Sequence, residues 1–273
     1  MTGPHDERVA VVTGAARGIG AATVVGLARA GWSVVAVDRC ADDPRIPYPL
    51  GTRAELDAVV VRAGSVRDGE RPGGVVAHVA DATDEAALAA AVEEATARYG
   101  GLDAMVSVAG VIAGGVPLWE LPADQLAALL DIDLGGPIAA ARVGIPALLR
   151  RPAPRQGRYL AVASAAAIRG LPLLSAYGAA KAGVTGLVRG LAAELAGTGV
   201  TANAVCPGST DTAMLAESSR LYDLSGSESF AAQQAVGRLL EPAEVADALV
   251  WLADAARGAV TGAVLPIDGG LTL

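Results

Sequence analysis

Tyr177 and Lys181 are the residues whose types and spacing most directly suggest chemistry. Lys181 is the only lysine among 21 lysines and arginines. The two residues are four positions apart, which places both side chains on one face of a helix. A free tyrosine has a pKa of about 10, and a nearby ammonium lowers it. The pair therefore predicts a phenol that exchanges a proton near neutral pH.

The choice of lysine over arginine fits this chemistry. A compact ammonium on a flexible stem fits below a tyrosine ring and reaches ribose hydroxyls, whereas a planar guanidinium fits poorly there. Ser164 ends a strand-like run thirteen residues before Tyr177, at the edge where open α/β sheets bind ligands. Its hydroxyl can orient a substrate oxygen beside Tyr177. Tyrosine and lysine at this spacing also occur as surface packing, so the remaining motifs decide between the two interpretations.

A glycine-rich turn, TGAARGIG, occupies residues 13–20, between the first strand-like run and the first helical run. Gly14 permits a tight turn, Gly18 permits close approach of the backbone to a pyrophosphate, and Gly20 permits close packing of helix on strand. The free N–H groups of the helix N-terminus favour phosphate. The turn predicts a dinucleotide site; a structural strand-to-helix turn is the alternative.

Asp38 ends the second strand-like run, eighteen residues after Gly20. A carboxylate there accepts hydrogen bonds from both ribose hydroxyls and repels a 2′-phosphate, which favours NAD over NADP. Arg17 and Arg39 are two cations that could contact a 2′-phosphate, and a solvated strand-end acid is the alternative for Asp38.

Asp81 ends the next strand-like run and has two interpretations of equal weight. It either meets the adenine or caps the helix that begins near Asp84.

Strand-like runs rich in Val and Ala alternate with Ala-rich helical runs along the chain, which predicts a parallel, doubly wound α/β sheet. We expect a single-domain Rossmann-type fold with helices on both faces, over residues 8–273, after a flexible N-terminus at 1–7. The predicted strands are 8–14, 32–38, 74–81, 102–110, 157–164, 201–208 and 263–270. The longest predicted helix covers 123–150 and bends near Pro137 and Pro146.

Composition excludes several classes of function. The net charge of −8 argues against nucleic-acid binding, which needs a basic face. No uncharged apolar run is long enough for a membrane span, and no signal segment is recognised. The two cysteines, Cys40 and Cys206, give neither a disulfide framework nor a zinc spacing, so we expect no metal and a cytoplasmic protein.

Taken together, the chain resembles the short-chain dehydrogenase/reductase family over residues 8–273. The matching pieces are TGAARGIG, the acid at 38, DATD at 81–84, the serine, tyrosine and lysine at 164, 177 and 181, NAVCPG at 203–208 and DGG at 268–270. The resemblance implies that Ser164, Tyr177 and Lys181 are catalytic, that the cofactor is NAD and that the assembly is a homotetramer. The residues it implies for cofactor binding are Gly14, Arg17, Gly18, Ile19, Gly20, Asp38, Asp81, Ala82, Ala109, Gly110, Tyr177, Lys181, Pro207, Gly208, Thr210 and Thr212.

Two departures from the family pattern concern the catalytic centre. Ser107 and Val108 stand where the family has two asparagines, although Ala109 and Gly110 remain. The catalytic asparagine of the family maps onto Asp133, and an ionised carboxylate cannot donate as an amide does. We include Asp133 with the catalytic residues, as a group that can hold a water relaying a proton from Lys181.

The segment 38–56 is longer than in most family members. It resembles the branch that includes carveol-dehydrogenase-like enzymes and is associated with the redox carrier mycofactocin. The resemblance implies NAD that is retained through turnover and reoxidised by a carrier, with the segment covering the adenine end; an ordinary surface loop is the alternative. Cys40 is interpreted as a buried small residue rather than a reactive thiol.

The segment 212–238 is predicted to be a mobile lid over the substrate. Apolar residues in it and in 112–119 predict a pocket for a small hydrophobic alcohol or ketone, with plain helix packing as the alternative. These residues are Ile112, Val116, Leu118, Trp119, Met214, Leu215, Leu221, Tyr222 and Phe230.

The sequence thus predicts an NAD(H)-dependent oxidoreductase acting on a secondary alcohol or ketone, with Tyr177 as acid and base. Two alternatives stay open: a 3-oxoacyl-thioester reductase of the same family, which ordinarily uses NADPH, and a nucleotide-sensing protein without catalysis.

Overall fold

The computed structural model describes residues 8–66 and 74–273; the predicted flexible segment 1–7 lies outside this range. The described residues form seven strands: β1 Val9–Thr13, β2 Ser33–Asp38, β3 Val75–Val79, β4 Ala104–Ser107, β5 Arg158–Val162, β6 Thr201–Pro207 and β7 Val264–Ile267. The α-helices are α1 Gly18–Arg29, α2 Arg53–Ser65, α3 Glu85–Tyr99, α4 Ala123–Leu130, α5 Gly136–Leu149, α6 Ser175–Glu194, α7 Ala213–Leu221 and α8 Pro242–Ala253.

The strands form one parallel sheet in the order β3-β2-β1-β4-β5-β6-β7. The predicted doubly wound fold is confirmed. The strand order reverses at β1, which lies between β2 and β4. The connections that follow β1 and β4 leave in opposite directions, and ligands bind in the crevice between them. The loops that follow β1 and β4 meet at this switch point.

Both faces of the sheet are buried, which explains why the strands are apolar without alternation. Val9 and Val11 of β1 pack in a core with residues of α3, α5 and α6. Ala10 and Val12 face the opposite core, with residues of α1, α2 and α8. The small side chains let the helices approach the sheet closely, so the loops at its carboxyl edge have a rigid base.

The long helix predicted over 123–150 is formed at Ala123–Leu149, and its bending near Pro137 and Pro146 stays a prediction. A π-helical turn at Asp131–Gly135 separates α4 from α5, and Pro137, which has no N–H to donate to the preceding turn, follows in the first turn of α5. Pro146 stays inside α5. By length and hydropathy the run Ala123–Leu149 resembles a membrane span, but 56% of its tested 18-residue window is buried inside the protein. π-turns often occur at functional sites, and this one carries Asp133.

The predicted lid contains regular structure. It begins with α7 and continues with a 3₁₀ helix at Ser227–Gln233. The ring of Phe230 packs edge-on against Tyr222, 6.1 Å away between ring centres. Its mobility stays a prediction.

Residues 39–52, called the insert below, lie between β2 and α2 without helix or strand. The carboxylate of buried Asp43 organises them, because it accepts hydrogen bonds from the main chain and side chain of Arg45 and from Arg39. Asp42 accepts a hydrogen bond from the Leu50 N–H. Cys40 is half-buried rather than buried as predicted, and the partial burial raises its pKa to about 11, which favours an unreactive thiol.

Candidate active site

A cavity of about 530 Å³ lies at the carboxyl edge of the sheet. Its lining comes from the loops after β1, β2, β3, β4, β5 and β6, together with the insert, α6 and α7. It brings together all the residues predicted to bind cofactor or to catalyse, except Asp133, which lies just behind it. The predicted site residues in the lining are Gly14, Arg17, Gly18, Ile19, Gly20, Asp38, Asp81, Ala82, Ala109, Gly110, Ser164, Tyr177, Lys181, Pro207, Gly208, Thr210 and Thr212.

The glycine turn is shaped for close approach. Gly14 and Gly18 have φ angles of 66° and 58°, which L-residues rarely adopt. A Cβ on Gly14 would lie 2.6 Å from Ala109 Cα, and one on Gly20 would lie 2.0 Å from the carbonyl oxygen of Gly14. Arg17, which precedes α1, gives the helix no side-chain cap. The first N–H groups of α1 are therefore available to a phosphate.

Asp38 lies between the glycine turn and the insert. Its Oδ2 accepts the Ala16 N–H at 3.0 Å, and its Oδ1 accepts the Cys40 N–H at 3.1 Å. Gly51 of the insert packs on the carboxylate, since a Cβ there would lie 3.0 Å from Asp38 Oδ1. The negative charge is thus held at a fixed position in the lining.

The two arginines that could bind a 2′-phosphate have other partners. Arg17 donates to the carbonyl oxygen of Pro49 at 2.6 Å. Arg39 forms ion pairs with Asp43 at 3.0 Å and Asp81 at 3.6 Å. Because both arginines already have partners, neither is free to bind a 2′-phosphate beside Asp38, which favours NAD over NADP.

Asp81 does not cap α3, so that alternative is wrong. Asp84 is the cap, and its carboxylate accepts the N–H groups of Ala86 and Ala87. Asp81 instead accepts hydrogen bonds from the main chain and hydroxyl of Thr83. Its contact with an adenine stays a prediction.

The loop after β6 closes the other side of the cleft. Gly208 has no room for a side chain, because a Cβ would lie 2.3 Å from Gln234 Oε1. Thr212 caps α7 by accepting the Leu215 N–H, and its hydroxyl donates to the carbonyl oxygen of Thr210. A Cβ on Gly18 would lie 3.2 Å from the Thr212 methyl group, so this loop faces the glycine turn across the cleft.

Tyr177 and Lys181 lie in the first two turns of α6, and both are buried. Lys181 Nζ is 5.8 Å from the centre of the Tyr177 ring. Ser164 follows β5, caps a short 3₁₀ helix by accepting the Ala166 N–H, and lines the cavity beside them. The spacing argument from the sequence therefore gives the correct arrangement.

The net direction of the Tyr177 pKa is the reverse of the sequence prediction. Burial raises the pKa of Tyr177, whereas the Lys181 ammonium and the Ser164 hydroxyl lower it. The Asp133 carboxylate raises it again. Lys181 acts as predicted, but burial outweighs it.

Asp133 is completely buried and forms an ion pair with Lys181, with 3.2 Å between Oδ1 and Nζ. Oδ1 also accepts the Val111 N–H at 3.0 Å. Gly110 makes room for the pair, because a Cβ there would lie 2.7 Å from Oδ1 and 3.1 Å from Nζ. Lys181 additionally donates to the carbonyl oxygen of Val162.

The apolar end of the cavity contains residues that sequence reasoning missed. The insert places Tyr48 and Leu50 there, and the Tyr48 hydroxyl accepts the Ile112 N–H at 2.9 Å. Leu171, Leu174 and Leu271 also line the cavity. The run IPYPL in the insert, an aromatic residue between prolines and aliphatics, was the signal available in the sequence.

Part of the predicted apolar wall is wrong. Trp119 is 84% exposed and Leu118 is 48% exposed, and neither they nor Val116 line the cavity. They belong to a short surface segment before α4. Leu221 packs in the cluster behind the wall, and Ile112, Met214, Leu215, Tyr222 and Phe230 line it as predicted.

Comparison with known proteins gives matches over almost the whole chain. A family model described as enoyl-(acyl carrier protein) reductase matches residues 14–272. The cis-4-hydroxycyclohexanecarboxylate dehydrogenase of Sinomonas cyclohexanicum is 40% identical over 97% of each chain. The (-)-trans-carveol dehydrogenase of Rhodococcus erythropolis is 34% identical over 97% of this chain and 98% of its own.

The fold is also found in a solved relative. The crystal structure of carveol dehydrogenase from Mycobacterium avium in complex with NAD has a TM-score of 0.89, with 30% sequence identity over 99% of each chain.

Proposed function

The chain belongs to the short-chain dehydrogenase/reductase family, and from that premise we propose that it is an NAD(H)-dependent oxidoreductase interconverting a neutral, hydrophobic cyclic secondary alcohol and its ketone. The resemblance to the carveol-dehydrogenase-like branch is confirmed by these similarities. The observation that carries the proposal is the single cavity that joins the glycine turn and Asp38 to Ser164, Tyr177 and Lys181.

The residues present fit NAD. The turn at Gly14 and Gly20 leaves no room for side chains, and α1 presents N–H groups without a cap. Asp38 offers a carboxylate to ribose hydroxyls, while Arg17 and Arg39 are paired elsewhere. When bound, NAD supplies the acceptor for the hydride. Proteins similar to this chain were solved as NAD complexes, which supports the same cofactor here.

The residues of this chain perform the proton chemistry. In alcohol oxidation the Tyr177 oxygen takes the proton of the substrate hydroxyl, and in reduction it returns a proton to the carbonyl oxygen. The Ser164 hydroxyl holds the substrate oxygen. Lys181 stabilises the phenolate by its positive charge and would hold the ribose of bound NAD.

The substrate end of the cavity favours a neutral molecule. Apart from Lys181, the charged residues among the described lining are Arg17, Asp38, Arg39 and Asp81, which lie at the end of β2 or in the loops after β1, β2 and β3. The other end is formed by aliphatic and aromatic side chains, with Ser218 and Gln233 as polar members. A carboxylate placed there would lose hydration without gaining an ion pair. The relatives named for cyclic alcohols support a ring-shaped substrate.

The insert supports the further proposal that NAD is retained through turnover. It packs on Asp38 through Gly51, holds Arg17 through Pro49 and reaches the apolar end through Tyr48. Bound NAD would be retained if these contacts keep the insert closed over it. Reoxidation by an external carrier and homotetramer formation remain predictions from the family resemblance, and a cytoplasmic location remains a prediction from the cysteine content.

An absorbance spectrum of the purified protein tests this proposal. Neutral cyclic alcohols are added without NAD, and then with NAD. Retained NAD predicts a reduced-nicotinamide band that stops at one equivalent per subunit or less. No band without NAD, followed by steady turnover once NAD is added, would contradict retention and leave an ordinary exchangeable dehydrogenase.

A further inference from the structure

The carboxyl of Asp133 is an unusual group to find beside Lys181. It is fully buried, and within the described chain its Oδ2 has no hydrogen-bond partner. Oδ1 receives both the Val111 N–H and the Lys181 ammonium. A buried carboxylate whose second oxygen receives no donor from the protein carries a desolvation penalty that a protonated carboxyl largely avoids. The site therefore tolerates a neutral Asp133 as well as an ionised one.

We propose that Asp133 is a second proton site of the catalytic centre, which holds the proton that Tyr177 loses when it becomes a base. The use of this proton in turnover rests on the proposed function. The coupling between the two groups does not, because it is a property of the folded chain.

The proton balance is simple. The O–H bond of Tyr177 breaks and an O–H bond forms on Asp133, while Lys181 remains an ammonium. Before the transfer the charges are −1 on Asp133 and +1 on Lys181; afterwards they are −1 on Tyr177 and +1 on Lys181. The net charge of the buried centre stays the same, so no uncompensated charge is left in a low-dielectric site.

The position of Lys181 explains why the two proton sites are coupled. Its Nζ lies 3.2 Å from Asp133 Oδ1 and 5.8 Å from the Tyr177 ring centre. While Asp133 is ionised, its negative charge largely compensates the positive charge of Lys181. Once Asp133 is neutral, the positive charge of Lys181 stabilises the Tyr177 phenolate. Burial raises the pKa of Asp133, and Lys181 opposes that rise.

The remaining titratable neighbours do not compete for this proton. Tyr48 of the insert and Cys206 of β6 both have their pKa raised by burial, which keeps them neutral near neutral pH. The pair of Arg45 and Asp131, 2.7 Å apart, involves the same π-turn, but the Asp131 side chain is 57% exposed. The charged pair Lys181 and Asp133 therefore dominates the field at Tyr177.

A purely structural role for Asp133 makes a different prediction. An asparagine can also accept the Val111 N–H and a hydrogen bond from Lys181. Removal of the carboxylate charge in Asp133→Asn lowers the pKa of Tyr177 in either case, so this shift measures the coupling of the two groups. If anchoring is the whole role, Asp133 stays ionised at every pH above its ordinary range; if Asp133 is a proton site, its carboxyl is protonated above that range.

The test is an ultraviolet titration of tyrosinate in the full chain, with neither substrate nor added cofactor. The titration curve of Tyr177 alone is the difference between proteins with and without Tyr177→Phe, and it is measured in the wild-type and in the Asp133→Asn background. We expect the Tyr177 midpoint to fall by about one pH unit or more in Asp133→Asn. Asp131→Asn is the matched control, because it removes an acid from the same turn that does not contact Lys181, and it should give no shift.

A second readout distinguishes a proton site from a fixed anion. The infrared carbonyl band of a protonated carboxyl, taken as wild type minus Asp133→Asn, should persist above the ordinary aspartate range of about pH 4. Should Asp133→Asn fail to fold, the pH at which the carboxyl band of wild-type protein with ¹³C-labelled aspartate disappears still shows whether an aspartate stays protonated above this range. The proposal would be overturned if the Tyr177 titration curves of wild type and Asp133→Asn coincide, or if no band of a protonated carboxyl is found above about pH 4.

Failure of the proposed function would look different. The titration and the infrared band need no turnover, so they can succeed even if no alcohol is oxidised. If alcohols are oxidised, the rising limb of the pH–rate profile should move to lower pH in Asp133→Asn and stay in place in Asp131→Asn.

Discussion

The hydroxyl of Tyr48 accepts a hydrogen bond from the main-chain N–H of Ile112, with 2.9 Å between oxygen and nitrogen. Tyr48 belongs to the insert after β2, and Ile112 belongs to the loop after β4. The bond therefore connects the insert, which lies beside Asp38, to the loop after β4. The adjacent residue of that loop, Val111, donates its N–H to Asp133. The insert is part of the active site rather than an independent surface loop.

Tyr48→Phe tests this connection. The change leaves the Ile112 N–H without its acceptor, and an unsatisfied buried donor costs about 1–3 kcal/mol. We expect lower thermal stability, a several-fold higher KM for the alcohol and faster loss of bound NAD. Tyr159→Phe is the matched control: its hydroxyl donates to the carbonyl oxygen of Pro137 away from the cavity. It should reduce stability but leave KM unchanged; an equal KM change in both variants would show that the bond is only structural.

Asp38→Asn should weaken the preference for NAD. The carboxylate repels a 2′-phosphate, so its removal should lower the NAD-to-NADP ratio of kcat/KM by about tenfold, equivalent to ~1.4 kcal/mol. Steady-state kinetics with both cofactors measures this ratio. Asp42→Asn, in the same segment but bonded to the Leu50 N–H, is the control and should keep the ratio. An unchanged ratio in Asp38→Asn would show that residues other than Asp38 select against NADP.

The apolar substrate end predicts discrimination by charge. A neutral 4-alkylcyclohexanol should be oxidised with a higher kcat/KM than 4-hydroxycyclohexanecarboxylate, the type of compound for which one relative is named. The methyl ester of that acid is the control, because it has the same ring without the charge, and it should behave like the neutral alcohol. A preference for the free acid over its ester would require a cation that the described lining does not place there.

Asp43 predicts a pH-dependent contribution to stability. Hydrogen bonds from Arg45 hold the pKa of Asp43 well below its ordinary range, against the opposing effect of burial. The contribution of a lowered carboxyl pKa is complete above the unfolded value of about 3.9 and is lost as pH falls through the folded value. Asp43→Asn should therefore reduce stability by about 2 kcal/mol at neutral pH, and the difference from wild type should shrink below pH ~4.

Thermal unfolding across this pH range measures the Asp43 effect. Asp57→Asn, which removes an exposed pair with Arg53, is the control and should change stability little. A difference between wild type and Asp43→Asn that stays constant in acid would show that the carboxylate charge is not the cause.

Local spacing was sufficient to predict much of this site. The glycine turn, Asp38 and the helical pair Tyr177 and Lys181 are each defined by a few neighbouring residues, so the sequence shows them directly. The order of strands and helices then predicts that they meet at one edge of the sheet.

The features that depend on distant packing could not be predicted in the same way. Tyr48 reaches Ile112 across the cleft, and neither residue indicates the other in the sequence. The exposure of Trp119 depends on where its short segment rests. The raised pKa of Tyr177 is set by burial, which pairwise reasoning from Lys181 omits.

The central claim is that Tyr177 performs the proton transfer in alcohol oxidation, and the most direct measurement compares wild type with Tyr177→Phe. Formation of reduced nicotinamide is followed with NAD and neutral cyclic alcohols, and NAD binding is measured separately. We predict turnover by wild type, a loss of about 10²–10⁴-fold in kcat for Tyr177→Phe, and similar NAD affinity in both. Undiminished turnover by Tyr177→Phe, or NAD binding by wild type without oxidation of any alcohol, would contradict the account.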